Sequence, residues 1–133
     1  KCFMADKKIV SDWLQKANED FGFASSCLSD EIEYFGHICF HFQQGAEKSL
    51  KAFIVANKLP FRKIHNLLVL LDLCCQKDSS MEHLREACIN LNRFYVDTRY
   101  PVHWPTNFTK EDALSAQQSC KVIGTFVKEK IGA

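Results

Sequence analysis

The sequence predicts an all-α fold, an up-and-down bundle of four long helices with one short inserted helix. Three observations predict it. Apolar residues recur at three- and four-residue steps in five separate segments; no segment alternates as a half-buried strand would; and capping residues and prolines fall between the segments. With 133 residues, 47% of them apolar, the chain can bury one core without staples, and it shows no internal repeat or low-complexity stretch. A single helical domain is expected over 11–133, with 1–10 as an N-terminal extension; Met4-Ala5-Asp6 reads as a natural start, and Lys1-Cys2-Phe3 are given no role.

The first helix is expected behind a Ser11 or Asp12 cap, with Trp13, Leu14, Ala17, Phe21, Ala24 and Leu28 on its apolar face and Trp13 as a core anchor. Asp30-Glu31-Ile32-Glu33 offers an acidic first turn for the second helix, which runs through Tyr34, Phe35, Ile38 and Phe42 to about Asn57, and Pro60 stops it. This helix carries the most information. Phe42, Ala46, Leu50 and Phe53 share one side, while Gln43, Glu47 and Lys51 form a second stripe at four-residue spacing. Gly45 in mid-helix costs about 1 kcal/mol relative to Ala, which the close approach of a second helix would offset. Glu47 and Lys51 are ordered for an intrahelical ion pair worth about 0.3–0.5 kcal/mol. Their stripe is either a solvated face or a line of chemistry. Glu33, His37 and His41 also fall four residues apart, but without a fourth ligand or a metalloprotease Glu they are assigned no metal.

Leu67, Leu68, Leu70, Leu71 and Leu73 form a short helix too apolar to be exposed, closing on Cys74-Cys75-Gln76-Lys77. His65 at its entrance can cap the helix, bond a carbonyl or face a pocket. Ser79 and Glu82 suggest a capping box for the fourth helix, followed by Leu84, Ala87, Cys88, Leu91 and Tyr95. Beyond it, Arg93, Asp97, Arg99, Tyr100, His103 and Trp104 crowd a segment that Pro101 and Pro105 force out of helix. Thr109 and Asp112 make a second capping box, opening a last helix through Ala113, Leu114, Ala116, Cys120, Ile123, Phe126, Val127 and Ile131.

A net charge of +1 gives no global basic field, so contact with nucleic acid would need a local patch such as Lys48, Lys51, Lys58, Arg62 and Lys63. Seven cysteines lie within apolar helical patterns and form no Cys-x-x-Cys pair, which argues for reduced thiols rather than a disulfide framework. With no signal peptide and no run long enough to span a bilayer, a cytoplasmic protein with no membrane contact is expected, where the Asn107-Phe108-Thr109 sequon has no use.

Five pieces in order, Asp12-Trp13-Leu14-x-x-Ala17, Phe42-Gln43-Gln44-Gly45-Ala46-Glu47-Lys48-Ser49-Leu50-Lys51-Ala52, His65-Asn66-Leu67-x-x-Leu70, Tyr95-x-x-x-Arg99-Tyr100-Pro101 and Phe108-Thr109, resemble the HEPN domain family (higher eukaryotes and prokaryotes nucleotide-binding) from about Ser11 to Ile131. The resemblance implies a helical bundle, usually a homodimer, often encoded beside a minimal nucleotidyltransferase. It also implies one of two activities. The first is binding of a nucleotide such as ATP or GTP, or of RNA phosphates, for which Gln43, Glu47, Lys51, His65, Arg99 and Tyr100 are the matching positions. The second is the metal-independent RNA cleavage of toxin-like members, with His103 as general acid/base and Arg99 stabilising the charged phosphorane. That activity goes with four to six residues between Arg and His. Only three separate Arg99 from His103, and Pro101 bends the chain between them. The reading therefore favours a binding module over an enzyme, with a purely structural partner subunit as a further alternative.

Overall fold

The structure, a computed structural model, describes residues 4–60, 63–96 and 107–132. Its helices are α1 (Met4–Ser29), α2 (Phe35–Ala56), α3 (Leu67–Lys77), α4 (Arg85–Asn92) and α5 (Lys110–Ile131), with a 3₁₀ turn, Ser79–Leu84, leading into α4. No strand occurs among the described residues. Fifteen of the 22 residues of α2 are buried, which makes it the axis of the bundle rather than one wall of it. It packs along α1 and α5 and touches α3 and α4, while α3 and α4 close against each other and α4 against α5.

The core joins all five helices. Phe42, Leu50 and Ile54 of α2 share one buried cluster with Leu14 and Leu28 of α1, Leu67, Leu70 and Leu71 of α3, Leu91 of α4, and Ala113, Ile123 and Val127 of α5. The expected close approach at Gly45 is present. A Cβ there would lie 3.1 Å from Cys120 Sγ and 3.4 Å from the Ala17 carbonyl oxygen, so the residue without a side chain is where α1 and α5 both reach α2.

Several helix ends differ from expectation. α1 starts at Met4 and runs unbroken through Ser11 and Asp12, so neither caps it, and Val10 already belongs to the core. The acidic stretch 30–33 does not open α2; it closes α1. Glu31 takes a left-handed φ of 58°, its N–H donates to Leu28 O and that of Ile32 to Cys27 O, the pairing of a Schellman cap. α2 ends the same way, with Lys58 at φ 55°. At α3 the cap is Asn66, whose side chain accepts from the N–H groups of Leu68 and Val69, and His65 is left for another task. Ser79 and Glu82 form no capping box: Asp78 accepts from the Ser80 N–H, and Glu82 turns to Arg85. The fourth helix stops at Asn92, leaving Tyr95 beyond its end. Thr109 and Asp112 do form the expected box on α5. Of the apolar positions assigned to that helix, Leu114 instead faces solvent.

Candidate functional site

Gln43, Glu47 and Lys51 project from one face of α2, and that face is not solvated. The three residues are 0%, 3% and 5% exposed. An ionised pair in the interior must be closely partnered, because the cost of leaving water is several kcal/mol per ion. The partners are present. Lys51 Nζ lies 2.8 Å from Glu47 Oε2 and 5.7 Å from the centre of the Trp13 ring, an ammonium over an indole. Gln44 Nε2 donates to Glu47 Oε1 at 3.2 Å and to Gln43 Oε1 at 2.8 Å, and Gln43 Nε2 reaches Glu47 Oε1 at 3.4 Å. Trp13, expected only as a core anchor, thus also borders the charged pair.

The network opens to the surface at His65. This side chain is 49% exposed, yet its Nδ1 sits 3.0 Å from Glu47 Oε2 and 3.2 Å from Oε1. A carboxylate held by an ammonium accepts, so Nδ1 carries the proton and Nε2 is the outward nitrogen. The backbone is held too: Gln43 Nε2 donates to the His65 carbonyl at 3.3 Å. Finally the imidazole lies flat on the Tyr95 ring, with centroids 4.7 Å apart and planes 13° from parallel. The sequence supplies this arrangement locally. Asn66 caps α3 and so fixes the residue before it, while Asn92 Oδ1 accepts from the Leu67 N–H at 2.8 Å and Asn92 Nδ2 donates to Asn66 Oδ1 at 3.2 Å, tying the end of α4 to the start of α3.

Of the expected site residues, the structure therefore brings together Gln43, Glu47, Lys51 and His65. Arg99, Tyr100 and His103, like Asp97, Trp104 and Arg62, lie outside the described residues. Helical spacing alone puts Tyr95 in the fourth helix; its place just past the helix end, within an aromatic and basic run, is the signal that marks it for the site. Two of the expected basic-patch residues are not a free surface: Lys51 is buried on Glu47 and Lys48 is bound to Asp20 at 2.6 Å.

That second pair belongs to a smaller cluster between α1 and α2. His41 Nδ1 stands 3.6 Å from Asp20 Oδ1, just past hydrogen-bond length, and its ring meets Phe23 and Phe40 edge-on. Burial raises the Asp20 pKa, but His41 and Lys48 outweigh it and hold the carboxyl below its ordinary value of 3.8. Glu33 precedes α2 altogether, so the Glu33-His37-His41 spacing does not lie on one helix. No group of three or more His, Cys, Asp or Glu side chains converges as a metal site among the described residues.

A five-helix bundle whose central helix buries a charged pair beside a half-exposed histidine defines an all-helical domain. The HEPN domain family model matches residues 10–130, and the chain belongs to that family. Among solved structures it is similar to TT1696 from Thermus thermophilus, at 30% identity and a TM-score of 0.74 over 91% of this chain and 97% of that one. It is also similar to ST0689, an archaeal HEPN homologue, at 26% identity and a TM-score of 0.72 over 92% and 97% of the two chains. No curated protein matches. No helix among the described residues is long and apolar enough to cross a membrane.

Proposed function

We propose that this HEPN domain binds the phosphates of a nucleotide or polynucleotide at the Gln43–Glu47–Lys51–His65 site, and that it works as a homodimer with a minimal nucleotidyltransferase partner. The observation that carries the reading is the buried Glu47–Lys51 pair connected to a half-exposed imidazole. Charges placed inside a core are poor stabilisers, and replacing such a pair by apolar residues often leaves stability unchanged or improved. A network of this kind is better accounted for by what it presents at the surface, here a histidine whose outward Nε2 is set by a buried carboxylate. Arg99 and Tyr100, the further positions implied by the family likeness, would add a guanidinium and an aromatic ring for phosphate and base.

Calorimetric titration with ATP and GTP at moderate salt tests the reading. Heat of binding and a raised unfolding temperature are expected, and the absence of both overturns it. Incubation with labelled RNA without metal, against His103→Ala, tests the cleavage alternative in the same preparation: the binding reading expects intact RNA from both proteins. Light scattering should give twice the chain mass, and co-purification from the native host should bring a nucleotidyltransferase.

A further inference from the structure

From the stacked rings at the mouth of this site we infer a nucleobase platform: a purine or pyrimidine ring stacks on the outer face of His65, with Tyr95 as the layer beneath. The inference rests on the nucleotide-binding reading and adds to it that the base, and not only the phosphate, is held by the described part of the chain.

An exposed histidine ordinarily samples several rotamers, and fixing it costs entropy. His65 is fixed on three sides by groups that are themselves well placed. Its Nδ1 edge is on Glu47, its own carbonyl is on Gln43, and one ring face is on Tyr95 at 4.7 Å and 13°. With one edge and one face covered, the 49% exposure falls on the opposite face and the Nε2 edge. The result is a flat surface open on one side, its orientation settled before any ligand arrives. A planar aromatic ligand loses least by docking on such a surface, because the imidazole is already ordered. Base-on-aromatic stacking is sequence-tolerant, since every base has a π-face, and the outward Nε2 can bond an edge group of the base.

The test compares ATP with inorganic tripolyphosphate on the full chain, using wild type, His65→Ala and His65→Phe, each checked for an intact unfolding transition. Wild type should bind ATP at least about tenfold more tightly than tripolyphosphate. His65→Ala should lose about tenfold more affinity for ATP than for tripolyphosphate, whereas His65→Phe, which keeps a planar ring, should retain ATP binding to within about threefold. Equal affinity of wild type for the two ligands, or an equal fold-change for both in His65→Ala, overturns the platform while leaving phosphate binding standing. Failure of both ligands to bind overturns the platform and the nucleotide reading together.

Discussion

Glu47 is the residue on which the others depend. It accepts from Lys51, Gln43, Gln44 and His65 while 4% exposed at its side chain. Glu47→Leu removes the carboxylate and leaves the Lys51 ammonium in the interior, and should cost about 3–5 kcal/mol in urea unfolding. The double variant Glu47→Leu/Lys51→Met should be less damaging than that single one, because the stranded charge goes with it. If the double variant is the worse of the two, the pair is a stabiliser and the functional account of it fails. Gly45 tests packing in the same way. Gly45→Ala gains about 1 kcal/mol of helix propensity but sets a methyl 3.1 Å from Cys120 Sγ, with the thiol itself buried; we expect net destabilisation of about 1–2 kcal/mol, largely relieved in a Cys120→Ala background. Gly45 was legible in the sequence, since a mid-helix glycine announces its own cost. The convergence on Glu47 was not. Spacing puts Gln43, Glu47 and Lys51 on one stripe, but whether a stripe is solvent or interior depends on what crosses it, and His65 arrives from 18 residues away.

The helices show the same division between local and non-local information. The Thr109 box on α5 was readable because donor and acceptor sit three residues apart, and the box uses Asp112 Oδ2 while Arg93 takes Oδ1. Thr109→Ala should lower stability by about 1 kcal/mol, read as a fall in unfolding temperature. The box expected at Ser79 failed for an equally local reason: Asp78, one residue earlier, has the stronger acceptor, and Arg85 offers Glu82 a guanidinium at 2.7 Å. The acidic run at 30–33 misled because carboxylates before a helix look the same whether they face its dipole or the end of the previous helix. Glu31 now makes a prediction of its own. It carries a left-handed backbone penalty that glycine avoids, so Glu31→Gly should stabilise the protein by about 0.5–1 kcal/mol despite the added freedom of the unfolded chain. A loss of stability would mean that the Schellman geometry is not what ends α1.

For the molecule as a whole, the five helices were foreseeable from periodicity and the family likeness from motif order, while the burial of α2 was not and the boundaries moved wherever a cap had a rival. Acid stability belongs to this scale. Asp20, Asp78, Glu82 and Asp112 are all held below their ordinary values: Asp20 by His41 and Lys48 against the raising effect of burial, Asp78 by Ser80 and Lys130, Glu82 to about 2 by Arg85, and Asp112 by the Thr109 amide. A depressed native pKa means that the unfolded chain takes up protons first. Stability from these groups is therefore full near neutrality and drains away as pH falls below about 4.5 toward 2. Asp20→Asn should flatten that acid limb, and an unchanged slope would remove the Asp20 contribution. A last consequence follows from the paired asparagines. By joining Asn66 to Asn92 they clasp the two ends of the packed segment 66–92, and the two rings of the stack stand just outside it, His65 before and Tyr95 after. Opening the clasp would loosen the backbone that carries each ring, so Asn92→Ala should hasten hydrogen exchange at the Leu67 amide and weaken ligand binding without altering any group in the site.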